Sequence, residues 1–233
     1  MDLRTALRST AAIRSFEERA VDDVTLEAIL ETARFAPSGG NRQGWRVIIV
    51  KDDAKRTRLR DAYLPGWYEY LAQGAAGLVP WAPVTDLAQE ASALAQAPMF
   101  AAQAAEGPGG FAEHLDKAPV LLLLIADLRY LAAVDRDSAR YSFIGGGSIY
   151  PFAWSVLLAA REHGIGGVLT TMVVRSEDEL RSTFGMESHH ALAGLMALGY
   201  PTFQPTKLRR AKVSAFTTID SLNGDAFETQ GES

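Results

Sequence analysis

The chain contains no cysteine, which removes disulfides, thiolate metal sites and cysteine nucleophiles, and leaves nothing that demands an oxidising compartment. Histidine is scarce: His114, His163, His189 and His190 are the full set. Their spacing fits no metal-binding pattern, so they read as surface or interface residues and no metal is expected. Positive charge is also in deficit. With 23 Lys and Arg against 28 Asp and Glu, the net charge of −5 argues against a nucleic-acid surface, so any anion site must be local. The most apolar run, Ala118 to Ala126, is far too short to cross a bilayer, and the N-terminus lacks the apolar stretch of a signal peptide. A soluble, cytoplasmic protein with neither a nucleic-acid nor a membrane partner is the expectation. Phosphate loops and nucleophile-elbow patterns are missing too, and Gly164-Ile165-Gly166-Gly167 follows a helix and precedes a strand, the reverse of a dinucleotide fingerprint.

What the chain does have is a distinctive stretch from Arg34 to Val50. It begins as the end of an amphipathic helix, with Leu26, Ile29, Leu30 and Ala33 at helical spacing, and Pro37 bars further helix. Ser38, Gly39, Gly40 and Asn41 tolerate unusual backbone angles. Trp45 to Val50 resumes as an apolar, β-branched strand. A polar loop pinned between two buried elements suits a flat ligand, because backbone and short side chains can come close to it; on turn chemistry alone it is an ordinary helix-to-strand connection.

At 233 residues the chain is long enough to bury a substantial core. Helices are expected at 2–9, 21–35 and 52–63, with an extended piece at 13–16 between the first two. Residues 64–116 change character, becoming Ala-rich and Pro-punctuated, with Trp67, Tyr68, Tyr70 and Trp81 clustered. They read as an excursion of about two helices leaving the core, not a separate domain. Ala118 to Ala126 is expected to be a central strand buried on both faces. A helix follows Gly145 to Ser148, accepting Pro151 early and closing at Gly164. Gly166 to Val174 is a third strand, Ser176 to Glu179 a capping box opening a helix that Gly185 ends, Ala191 to Leu198 a fourth strand, and Val213 to Ile219 a last one. Irregular alternation with one very long connection predicts an α+β fold, a mainly antiparallel sheet flanked by helices.

One dense basic cluster stands out, Lys207-Leu208-Arg209-Arg210 with Lys212. It is either a solvated turn or a phosphate clamp, with Lys as a point charge and Arg as a planar fork. Two further motifs decide how it is read. Ala36-Pro37-Ser38-Gly39-Gly40-Asn41-Arg42-Gln43-Gly44-Trp45, preceded by Ala12-Ile13-Arg14-Ser15-Phe16, resembles the signature of the nitroreductase family of dimeric FMN-dependent oxidoreductases, and the resemblance runs from about Leu7 to Phe216.

That resemblance implies a single FMN-binding domain over 1–233, an intertwined homodimer with a C-terminal arm at about 211–233, and a lid at about 64–116 covering the flavin. It places Arg14, Ser15, Pro37, Ser38, Gly39, Gly40, Asn41 and Gln43 on the cofactor. Lys207 and Arg209 fall on its phosphate, with Arg210 as a third member, and Leu169, Thr170 and Thr171 on the strand end beside the reactive ring nitrogen. Trp67, Tyr68, Tyr70 and Trp81 would line the substrate pocket. The implied activity is hydride transfer from NADH or NADPH to an electron-poor small-molecule acceptor such as a nitroaromatic or quinone, by a ping-pong mechanism. FMN carries the chemistry, so no catalytic side chain is assigned. Family relatives acting as dehalogenases or dehydrogenases, and a non-catalytic flavin-binding dimer for storage or sensing, remain the alternatives. In two places the chain departs from the family pattern. Thr10-Ala11-Ala12 stands where many members carry Arg-x-Ser, so that either Arg8 reaches in or fewer contacts hold the phosphate, and Trp154-Ser155 replaces the Gln-Asn of many relatives.

Overall fold

The computed structural model describes residues 1–140 and 142–228. Four strands, β1 (Trp45–Ile49), β2 (Val120–Asp127), β3 (Gly166–Thr170) and β4 (His190–Gly199), form one sheet in the order β1-β2-β4-β3. All three pairings are antiparallel, as the sequence predicts. Seven helices surround it among the described residues: α1 (Leu3–Ser9), α2 (Asp23–Ala33), α3 (Asp53–Ala75), α4 (Leu87–Leu94), α5 (Ala97–Glu106), α6 (Tyr150–Glu162) and α7 (Glu177–Phe184).

β2 is the expected central strand, with all its residues buried. Its side chains alternate between two cores, as the period of two along a strand requires. Val120, Leu122, Leu124 and Ala126 pack with α2 and α6 through Leu26, Ile29, Phe152 and Val156. Leu121, Leu123 and Ile125 face the other way, toward Leu59 and Tyr63 of α3 and Leu180 of α7. The chain is therefore three layers, with helices on both faces of an apolar sheet.

Aspartate starts four of the helices. Asp2, Asp22, Asp52 and Asp86 each accept a hydrogen bond from a backbone N–H in the following turn, satisfying donors the helix itself leaves free. Gly164 at φ 73° and Gly185 at φ 64° close α6 and α7 in the left-handed region, as expected. The extended piece at 13–16 lies along the sheet margin, with Ala12 bridging Gly167 and Phe16 bridging Pro201.

Several expectations fail in instructive ways. The helix expected over 52–63 continues to Ala75 straight through Pro65. A mid-helix proline costs about 3 kcal/mol, and burial on both sides outweighs it: Leu59, Ala62 and Tyr63 before, Ala72 and Gln73 after. β3 stops at Thr170, and Met172–Ser176 winds into a 3-10 turn that buries Val173. Ser176 does not form a capping box. Its hydroxyl donates to the Ala62 carbonyl at 2.9 Å, and Glu179 pairs with Arg58. The last strand is absent: Val213–Ala215 is a single 3-10 turn, and only Thr218 bridges Ala226. The apolar residues there, including Phe216 and Leu222, are exposed, and among the described residues this segment does not pair with the four-stranded sheet. Part of the expected C-terminal arm, 229–233, lies outside the described residues.

Candidate functional site

The loop between α2 and β1 is built around Ser38. Its carbonyl accepts from Asn41 N–H at 2.9 Å and its hydroxyl from Gln43 N–H at 3.0 Å. Gly40, Asn41 and Gln43 all take positive φ, at 60°, 52° and 52°. Gly and Asn adopt that region readily; Gln43 does so against a steric cost, and its side-chain amide donates to Asn41 Oδ1 at 3.2 Å. The Gly39 N–H donates to the Ser148 hydroxyl at 3.0 Å, which ties this loop to the Gly-rich turn before α6. Gly39, Gly40, Asn41 and Gln43 are exposed, and Pro37 faces a cavity shared with Met1, Leu3 and Ser155.

A second group of predicted residues gathers around β3 and the N-terminal segment. Ile13 N–H donates to the Gly167 carbonyl at 2.9 Å, and the Ser15 and Thr202 hydroxyls meet at 2.9 Å. Arg14 and Ser15 line a cavity of about 480 Å³ with Phe111, His114 and Lys117. At the end of β3 the Thr170 hydroxyl donates to the Tyr63 hydroxyl at 3.2 Å. Burial pushes the Tyr63 phenol above its ordinary pKa, opposed in part by that hydrogen bond and by Arg14. Close approach beside Thr170 depends on Gly194, next to a bulge at Ala193 of β4 that lies opposite Leu124 and Ile125. A Cβ at Gly194 would stand 3.0 Å from both the Leu169 side chain and the Thr170 carbonyl.

From Tyr63 a run of rings leads outward. Tyr63 and Trp67 lie 6.3 Å apart between centroids, Trp67 and Tyr70 5.5 Å, Tyr70 and Trp81 6.4 Å. Arg175 covers the Trp81 ring at 4.4 Å. Three of the four expected pocket aromatics thus form one run, with Trp67 and Tyr70 stacked and Trp81 tilted against Tyr70, while Tyr68 faces a different groove with Leu64, Pro65 and Pro98.

The basic cluster forms a third group. Lys207 and Arg210 line a cavity of about 470 Å³ with Arg8, Leu7, Thr206 and Leu208, and no carboxylate contributes to its wall. Arg209 is exposed, and its carbonyl accepts from the Arg210 guanidinium at 2.7 Å. Within one chain these cations and the Ser38 loop share none of the described cavities.

Asp127, His189 and His190 hold possible ligand atoms within 4.8 Å of one another. The Asp127 oxygens are taken by Arg129 at 2.9 and 2.8 Å, and His190 Nδ1 accepts from Glu187 N–H at 3.1 Å. Two guanidiniums beside the carboxylate, from Arg129 and Arg46, oppose a cation there.

Sequence reasoning missed Tyr63 and Ser148. Tyr63 sits with Leu59 and Ala62 at helical spacing, a signal that dense flanking charge obscured; nothing in the local pattern marks Ser148.

The sequence pattern of the nitroreductase family matches residues 7–200. The chain belongs to this family. Over 227 residues it is 29% identical to NADH dehydrogenase of Thermus thermophilus, covering 86% of this chain and 87% of that protein. It is 26% identical over 200 residues to iodotyrosine deiodinase 1 of Mus musculus, covering 86% of this chain and 62% of the deiodinase. An FMN-dependent nitroreductase of Clostridium difficile R20291 superposes with a TM-score of 0.56 at 18% identity, over 89% of this chain and 92% of that one. This nitroreductase-family chain carries an antiparallel sheet between helical layers, and the superposition shows that the two chains share a fold. None of its described helices is long and apolar enough to cross a membrane.

Proposed function

We propose that this chain is an FMN-dependent oxidoreductase that takes hydride from NADH or NADPH and delivers it to an electron-poor acceptor such as a nitroaromatic or quinone, with ping-pong kinetics. Membership of the family supports the reading, as do the names of its relatives, an NADH dehydrogenase and an FMN-dependent nitroreductase. The observation that carries it is the cation-lined cavity of Lys207 and Arg210 in an acidic chain. Cations without a carboxylate among them suit a phosphate tail.

FMN, when bound, supplies the redox chemistry. The chain's own residues bind and orient. Lys207, with Arg209 and Arg210, would hold the phosphate; Arg14 and Ser15 would act along the tail; Pro37 to Asn41 and Gln43, together with Leu169, Thr170 and Thr171, would hold the ring. Trp67, Tyr70 and Trp81 would border the acceptor, with Tyr68 of the same excursion on another groove.

Because the exposed Ser38 loop and the Lys207 cavity are separate within one chain, the reading includes a homodimer in which two subunits complete each site. Two surfaces fit that arrangement. A groove of about 580 Å³ beside the edge strand β1 is lined by Leu26, Leu30, Val47, Ile49 and Phe152 and by the charged Glu27 and the Lys51–Asp23 and Arg34–Glu31 ion pairs, and the C-terminal arm exposes Val213, Phe216 and Ile219. Strand addition at an open edge is a common way to cover both.

The relationship to iodotyrosine deiodinase favours a second reading, reductive dehalogenation of an aromatic substrate. Purified protein should be yellow, and Lys207→Ala with Arg209→Ala should release FMN. Full flavin retention by the folded double variant would contradict the clamp. An acceptor panel of quinones, nitroaromatics and halogenated phenols then separates the two activities, and a yellow protein inert to both nicotinamides would point to a binding role instead.

A further inference from the structure

We infer that Arg8, at the end of α1, supplies the phosphate-binding cation that residues 10–12 lack, and so sets the preference of this chain for phosphorylated over unphosphorylated flavin. The inference rests on the FMN reading above.

Residues 10–12 cannot serve. The Thr10 side chain is buried, and its hydroxyl donates to the Ala6 carbonyl at 2.8 Å. The side chains of Ala11 and Ala12 carry no polar atom, and Ala12 is bridged to Gly167. Arg8 is exposed and lines the same cavity wall as Lys207 and Arg210. Among the described residues none of these three cations forms an ion pair with a carboxylate. Three cations lining one cavity without a carboxylate in its wall repel one another, so an anion in that cavity is favoured.

The placement is built, not incidental. The Gln204 amide donates to the Ser9 carbonyl at 2.8 Å and to the Pro205 carbonyl at 3.2 Å. It thereby fastens the end of α1 to the segment that carries Lys207. The Ser9 hydroxyl donates to Thr5 O at 2.7 Å and holds the last helical turn. Gln204 Oε1 is buried and has no partner, an acceptor left unsatisfied where the two segments meet. An arginine in the last turn also complements the helix dipole, but that role alone would not require it to stand beside two other cations.

The test is a titration of apo-protein with FMN and with riboflavin, following flavin fluorescence, for wild type, Arg8→Ala and Arg8→Lys. Loss of a charge-assisted contact should weaken FMN binding by about 10- to 100-fold in Arg8→Ala and leave riboflavin binding unchanged. Arg8→Lys should fall between, and added salt should narrow the gap between the two flavins in wild type more than in Arg8→Ala. Equal FMN affinity in wild type and Arg8→Ala would overturn the inference while leaving FMN binding intact, and so would equal loss of both flavins. Wild-type protein that binds neither flavin would overturn the FMN reading as well.

Discussion

Asp127 shows how one buried side chain can organise a corner of the molecule. It ends β2, accepts from the Arg129 N–H at 3.2 Å and meets the guanidiniums of Arg129 and Arg46. The Arg129 hydrogen bonds hold its carboxyl well below the ordinary range, against the opposing effect of desolvation. A folded-state pKa lower than the unfolded value contributes stability that is full above about pH 4 and is lost as pH falls through the lowered folded value. Asp127→Asn should therefore lower Tm at neutral pH, and the difference from wild type should shrink steadily below about pH 4. A Tm difference that stays constant from pH 7 to pH 3 would show that Asp127 acts through packing or neutral hydrogen bonding alone. At the same scale, Tyr63→Phe removes the partner of the Thr170 hydroxyl. It should cost about 1 kcal/mol in urea unfolding, and a variant as stable as wild type would mean that water replaces the phenol without loss. Single residues also mark the limit of sequence reading. Gly164 and Gly185 were legible as helix ends because left-handed backbone favours glycine, whereas Pro65 was misleading, since its local cost says nothing of the burial on either side of it.

Among the elements, β3 depends most on small size. A Cβ at Gly167 would strike the Leu198 side chain and stand 2.7 Å from the Ala197 carbonyl, which belongs to the paired strand and cannot move aside. Gly167→Ala should thus cost about 1 to 3 kcal/mol, read as a fall in the urea midpoint. Gly147→Ala, with nothing within 4 Å of an added Cβ, should be close to neutral, and similar losses in both would contradict the steric argument. β2 and β4 were legible because apolar runs of strand length bounded by turns leave few alternatives. The strand expected at 213–219 does not form: β-branched and aromatic residues favour a strand only where one face is covered, and here Val213, Phe216 and Ile219 stay exposed while Val213–Ala215 winds into a 3-10 turn. Ser176 failed as a cap for a related reason: Ala62, remote in sequence, offered its hydroxyl a better partner.

Across the whole molecule, the fold and the family were legible from the alternation of elements and the motifs around Ser38 and Arg14, while the homodimer is an expectation carried by the family resemblance alone, because no periodicity in one chain encodes which surfaces meet. The free edge of β1 and the exposed apolar arm predict a homodimer that depends on the arm. A chain ending at Arg210 should sediment as a monomer and bind FMN poorly, and a truncated chain that remains a dimer would remove the arm from the interface. The central claim is that bound FMN passes electrons from a nicotinamide to a second substrate. Its most direct measurement is an anaerobic half-reaction on FMN-loaded protein, following the visible flavin absorbance. NADH or NADPH should bleach it, and a quinone added after the nicotinamide is removed should restore it. A flavin that stays bound yet oxidised in the presence of both nicotinamides would contradict the account.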